Sequence, residues 1–215
     1  MVSSPTLERL LDCGVVAIMR ANSSDQLLEA AEAVLNGGVQ AIEVTMTTPG
    51  ALEVVRQATA QFGQKVLFGA GSVLDPETTR AAILAGAQFI VCPTLDVSII
   101  EMCNRYSIPA IPGAYTPTEI LTAWEAGASV VKVFPASVGG PAYIKAVKAP
   151  LPQVRLAAVG GVTVENTAEF FRAGVVMVGV GSELVNQKLL DARNFSEITA
   201  RARSFREQAL LGRQN

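Results

Sequence analysis

The chain has 215 residues, with 17 lysines and arginines against 19 aspartates and glutamates, a net charge of −2, and half of its residues hydrophobic. That length suits one domain over 1–215 with a large core, and the absence of a long basic or acidic block gives no sign of a nucleic-acid partner. There is no histidine, which excludes a histidine-based catalytic triad and a histidine-ligated zinc site.

Taken in chain order, residues 1–6 lack the charged and apolar regions of a signal peptide, and no apolar stretch reaches membrane-spanning length. A short helix is predicted at 3–12. Strands are predicted at 15–20, 40–45, 66–70, 88–92, 108–111, 129–134, 154–159 and 175–180. They are continuous apolar runs, the pattern of parallel strands buried on both faces. Helical patterns fill the intervals near 24–36, 50–61, 76–85, 96–105, 117–126, 141–148 and 164–173, and a last helix covers about 196–210. Thr48, Asp75 and Thr116 each precede a proline, as a cap precedes proline at the first helical position. Thr116 with Glu119 also fits a capping box. Eight strands, each followed by a helix, predict a (β/α)8 TIM barrel with a short N-terminal helix. A doubly wound open sheet is the alternative.

Lys132 stands among apolar residues in the sixth predicted strand, and no other lysine of the chain does so. An ammonium is costly to bury, and burial favours the neutral amine, a nucleophile toward carbonyls. The bland alternative is a lysine that snorkels to the strand end or pairs with a core carboxylate. Glu43 is a second ionisable group inside an apolar strand. An internal repeat relates the two. Gly38, Gly86, Gly127 and Gly174 each end a helix and open predicted strands 2, 4, 6 and 8. Counting five residues on gives Glu43, Val91, Lys132 and Gly179. Alternate barrel strands share layers of side chains, so these four are expected to point inward together, with Glu43 facing Lys132 and Gly179 leaving space for a ligand. A buried Lys–Glu pair can be purely structural. In a barrel top it also suits Schiff-base chemistry, with glutamate moving the protons.

Gly160 and Gly161 end the seventh predicted strand, and Gly181 and Ser182 the eighth. Barrels commonly hold phosphate there, on backbone N–H groups and a short helix N-terminus. Arg20 ends strand 1 and either binds a substrate carboxylate with its forked donors or sits in a rim salt bridge. Ser72 either bonds that carboxylate or caps its loop. Cys13, Cys92 and Cys103 lack metal-ligand spacing and make no disulfide framework, as in a reduced, cytoplasmic protein. Cys92 reads as a buried thiol at a strand end. No metal site and no cofactor is expected.

The motifs IEVT (42–45), GAGSVLDP (69–76), IPGAYTPTE (111–119), KVFPAS (132–137) and GGVTVEN (160–166) together resemble the 2-keto-3-deoxy-6-phosphogluconate (KDPG) / 4-hydroxy-2-oxoglutarate (KHG) aldolase family, from about Leu11 to Val185. The resemblance implies a class I, metal-free lyase that acts on small 2-keto acids and assembles as a homotrimer. It implies Lys132 as the Schiff-base lysine and Glu43 as the general acid/base. Pro93 and Phe134 would shape the pyruvyl pocket, Ser72 would contact its carboxylate, and Gly160, Gly161, Gly181 and Ser182 would hold phosphate. Some members carry an arginine where this chain has Thr47; here Arg20 would supply that charge. Members selective for the gluconate substrate have threonine where this chain has Val159, which resembles the sister enzyme for the galactonate epimer. Oxaloacetate decarboxylation is a further activity the resemblance allows. A phosphate-metabolite-binding barrel without catalysis is the non-enzyme alternative.

Overall fold

A computed structural model describes residues 4–20 and 24–214. The part of the predicted first helix and leader reading that falls on residues 1–3 lies outside them. The strands are β1 (Val15–Met19), β2 (Ala41–Thr45), β3 (Leu67–Gly71), β4 (Ile90–Val91), β5 (Ala110–Ile111), β6 (Gly113–Ala114), β7 (Val131–Val133), β8 (Leu156–Val159) and β9 (Val175–Val180). All pairings between neighbouring strands are parallel, in the order β5-β4-β3-β2-β1-β9-β8-β7-β6. Both ends of that order are the same stretch of chain. Pro112, which has no N–H to give to a ladder, separates β5 from β6. The two halves pair outward to β4 and β7 respectively, and the ring closes through the proline. The predicted eight-stranded barrel is therefore present, with its fifth strand divided. Nearly every strand residue is buried, as expected when side chains fill the inside and helices cover the outside.

The helices are α1 (Pro5–Cys13), α2 (Ser24–Asn36), α3 (Ala51–Phe62), α4 (Pro76–Leu84), α5 (Val97–Arg105), α6 (Pro117–Glu125), α7 (Gly140–Lys148), α8 (Val164–Arg172), α9 (Gln187–Asp191) and α10 (Phe195–Arg213). Asp75 caps α4, and Thr116 with Glu119 forms the expected capping box on α6. Thr48 does not cap α3. That helix starts at Ala51 behind Gly50, which makes no side-chain cap bond. The Thr48 side chain is buried, with its hydroxyl 3.4 Å from that of Thr45. α9 has no counterpart in the predicted elements; its five residues are too few to show a period.

α1 crosses the N-terminal end of the barrel. Ser4 caps its start and Gly14, in the left-handed conformation, turns the chain into β1. α10 packs along α8 and α2 and returns to the same end. The functional groups of interest lie at the other end, where the strands finish.

Candidate active site

Glu43 and Lys132 stand on opposite walls of the barrel, on β2 and β7, with three strand positions between them in either direction. Glu43 is in register with Ile18 and Gly69, and Lys132 with Gly113 and Ala157. The glutamate is 3 % exposed and the lysine 5 %. Neither belongs to an ion pair among the described residues, yet each feels the other's charge. Burial raises the Glu43 pKa, and Lys132 and Arg20 only partly offset that. Burial lowers the Lys132 pKa, against the pull of Glu43 and Cys92, while Arg20 lowers it further. Desolvation thus outweighs attraction at both groups and pushes each toward its neutral form. A neutral amine can attack a carbonyl, and a protonated carboxyl can donate to the oxygen that must leave as water. The Lys132 Nζ lies 4.8 Å from the centroid of the Phe134 ring.

The alternating strand geometry explains how the carboxylate fits. A side chain at Gly71 would meet the Glu43 Oε1 at 1.7 Å. Gly71 therefore leaves the volume that Glu43 occupies, a role the sequence reading missed. The signal was present in the Gly-Ala-Gly run at 69–71, but using it requires the β2–β3 register. Gly113, beside Lys132, has a similar role: a Cβ there would fall 2.3 Å from the Pro93 carbonyl oxygen. Cys92 is the buried thiol at a strand end that the sequence predicts. Burial pushes its thiol up to about 12, and it lies within electrostatic reach of Lys132 and Glu43, so a protonated thiol forms part of the wall.

The expectation that Gly179 leaves space for a ligand is corrected. A Cβ at Gly179 would lie 2.9 Å from Val159 Cγ2 and 3.1 Å from Ile18 Cδ1. The glycine leaves room for these two side chains, which come from the strands on either side of β9, rather than opening a void.

The remaining predicted positions ring the strand ends. Arg20 is exposed after β1, and its charge acts on both Glu43 and Lys132. Thr47 is exposed, its hydroxyl 3.0 Å from that of Thr45. Ser72 follows β3 at a φ of 57°, a left-handed conformation that costs energy for a residue with a Cβ and that clusters at functional sites. Pro93 is half-buried after β4, and Phe134 is 38 % exposed. Val159 is buried at the end of β8. Gly160 and Gly161 follow with φ of 88° and 76°. A Cβ at Gly160 would touch the Phe134 ring at 3.4 Å, and one at Gly161 would fall 2.5 Å from the Ser137 Cβ. The turn after β8 therefore lies against the turn after β7. After β9, the Gly181 carbonyl accepts from the Leu184 and Val185 amides, each at 2.9 Å. The expected short helix N-terminus beside Ser182 is absent: α9 begins only at Gln187, and the Asn186 side chain caps it. Any anion here would meet turn amides instead. Among the described residues no group of three Cys, Asp or Glu side chains gathers as a metal cage.

A parallel barrel with a buried lysine and a buried glutamate at its C-terminal end defines the Schiff-base aldolase class in outline. The comparisons name the group more closely. A family model described as "KDPG and KHG aldolase" matches residues 7–201, and the chain belongs to that family of carbon–carbon lyases. It is 38 % identical over 194 residues to the Escherichia coli (strain K12) 2-dehydro-3-deoxy-6-phosphogalactonate aldolase, covering 90 % of this chain and 95 % of that protein. The KDPG aldolase of Legionella pneumophila, solved with pyruvate captured as a covalent carbinolamine intermediate, superposes with a TM-score of 0.87 at 28 % identity, covering 94 % of this chain and 98 % of the other. A cube-shaped protein cage, designed by fusing symmetric oligomeric domains, matches with a TM-score of 0.87 at 35 % identity, covering 94 % of this chain and 73 % of that one.

Proposed function

We propose that this chain cleaves KDPG to pyruvate and glyceraldehyde 3-phosphate, and 4-hydroxy-2-oxoglutarate to pyruvate and glyoxylate, through an imine on Lys132. The observation that carries this reading is the lysine itself, 5 % exposed, its pKa lowered by burial, across the barrel from an equally buried glutamate. The neutral amine adds to the 2-keto carbon. Protonated Glu43 donates to the carbinolamine hydroxyl, water leaves and an imine remains. The Glu43 carboxylate then takes the proton of the C4 hydroxyl as the C3–C4 bond breaks. Its electrons move into the imine and leave an enamine, and the aldehyde departs. Glu43 returns the proton to C3, and water releases pyruvate from Lys132.

Arg20 and Ser72 take the carboxylate of the keto acid, with Thr47 beside them, and Pro93 and Phe134 flank the pyruvyl group. Gly160, Gly161, Gly181 and Ser182 take the phosphate on their amides. A second reading, cleavage of the galactonate epimer, is favoured by Val159, which places no hydroxyl beside the substrate hydroxyls, and by the identity to the Escherichia coli galactonate-type enzyme. The enamine also serves oxaloacetate decarboxylation. The protein works as one domain over 1–215 and as a homotrimer in the cytoplasm. Support for assembly comes from the likeness to symmetric oligomeric domains and from a groove on α4 and α5 in which Pro76, Ala81, Leu84 and Met102 are flanked by Glu77 and Arg80. Among the described residues no helix is long and apolar enough to cross a membrane.

Borohydride reduction in the presence of pyruvate, followed by peptide mapping, tests the chemistry. A pyruvyl adduct on Lys132 is expected. An adduct on another lysine, or none in active protein, would defeat the assignment.

A further inference from the structure

Tyr115 and Tyr143 are 28 residues apart and meet at the C-terminal rim. Their rings stack with centroids 5.1 Å apart and planes 10° from parallel. Tyr115 follows β6 directly. Its backbone is held from both sides. The amide donates to the Glu119 carboxylate at 2.9 Å, and the same oxygen accepts from the Thr116 amide at 2.7 Å and the Thr116 hydroxyl at 2.9 Å. On the other side, the Tyr115 carbonyl accepts the phenolic proton of Tyr143. Tyr143 lies in the first turn of α7, and its Cβ packs on the Gly139 backbone so closely that a Cβ at Gly139 would fall 2.4 Å away.

Gly139 closes the turn that leads from Phe134 to α7. That turn is anchored elsewhere by the Ala136 amide on the Val159 carbonyl at 2.8 Å and the Gly140 amide on the Ala136 carbonyl at 2.8 Å. Its Ser137 packs on Gly161. Contacts therefore run from the end of β6 through Tyr115 and Tyr143 to Gly139, and the chain from Gly139 back to Ser137 carries them on to the Gly160–Gly161 turn. Lys132 does not depend on it. The Lys132 amide is fixed by the Pro112 carbonyl at 2.8 Å, and the Phe134 amide by the Ala114 carbonyl at 3.1 Å, both within the strand ladder.

We infer that Tyr143, through its bond to the Tyr115 carbonyl, is a positioning residue for the half of the site that holds the phosphorylated aldehyde fragment, and not for the half that holds pyruvate. The inference rests on the aldolase reading and on the phosphate lying at the Gly160–Gly161 turn. A clamp of this kind acts by limiting the conformations of the turn before substrate arrives. Its effect appears in binding of the distal fragment.

Tyr143→Phe removes the phenolic donor and keeps the stacked ring, so the fold should persist. Three measurements are compared with the unaltered protein: borohydride trapping of pyruvate, KM and kcat for KDPG, and KM for unphosphorylated 4-hydroxy-2-oxoglutarate. Loss of one hydrogen bond predicts a rise of about three- to tenfold in KM for KDPG, with trapping and the 4-hydroxy-2-oxoglutarate KM unchanged. Tyr143→Ala, which also frees Gly139, should raise the KDPG KM further in the same pattern. Trapping that remains intact while all KM values stay put, or while both substrates weaken equally, would overturn the positioning role alone. Failure of the unaltered protein to trap pyruvate would overturn the aldolase reading, and the clamp's role with it.

Discussion

At the N-terminal end of the barrel, Arg213 of α10 donates to the carbonyls of Asp12 at 3.0 Å, Leu11 at 2.5 Å and Val176 at 3.1 Å, and lies 5.0 Å from the Phe171 ring centroid. At the C-terminal end, two ionisable side chains are buried without an ion-pair partner among the described residues. One end saturates the carbonyls that its helix leaves open; the other keeps charge-bearing groups in forms water would not favour. An enclosed cavity does not by itself mark the chemistry. A space of about 260 Å³ opens at the N-terminal end, lined by Ser4, Leu7, Asn104, Ser107, Pro109 and Ser129 among others, without an ionisable side chain. In this barrel, the burial of two ionisable side chains locates the candidate site better than concavity does.

Substitutions at the two ends should separate activity from stability. The largest effect is expected from Lys132→Ala. It should abolish cleavage in a kinetic assay while thermal unfolding stays close to that of the unaltered protein, because a desolvated amine is lost along with its packing. Glu43→Gln keeps the shape over Gly71 and removes the proton carrier. Its kcat should fall by about 10² to 10⁴-fold, and an unchanged kcat with weaker folding would assign Glu43 to structure. Arg20→Ala should lower kcat/KM by roughly 10- to 150-fold for every 2-keto acid, phosphorylated or not; a loss confined to phosphorylated substrates would move Arg20 to the other end of the substrate. Arg213→Ala reverses the pattern. It should cost about 1–3 kcal/mol of stability in denaturant unfolding and leave kcat unaltered, and a matching loss of activity would show that the two ends are not independent.

Much of the site is legible in the sequence because burial makes charge conspicuous. Lys132 and Glu43 stand out inside apolar runs, and the glycine-led repeat places them on facing walls without any structure. What escapes the sequence depends on neighbours in space. Gly71 matters only because β2 and β3 are in register, which puts its missing side chain where the Glu43 carboxylate goes. Gly179 fails as a predicted opening because Val159 and Ile18, on two other strands, fill the gap. Thr48 has the sequence of a cap, but its hydroxyl turns to Thr45, and Gly50 moves the helix start. The strand predicted at 108–111 stops short of Pro112, beyond which β6 carries the ladder on over Gly113–Ala114, and Tyr115 and Tyr143 carry no local signal of their meeting.

The central claim is that burial holds the Lys132 amine toward its neutral form. Selective isotopic labelling of lysine, with NMR observation of the Lys132 amine across pH, measures this directly. The folded-state pKa is depressed, so the proton should leave Lys132 at a pH below its ordinary value of 10.5. The folded protein then binds fewer protons than the unfolded chain. The burial penalty on this group should accordingly be full below the folded value and fade as pH rises from there to 10.5, the ordinary value of the unfolded chain. Because Glu43 opposes the depression, Glu43→Gln should lower the midpoint further. A Lys132 midpoint at or above 10.5, or one that rises in Glu43→Gln, would contradict the account.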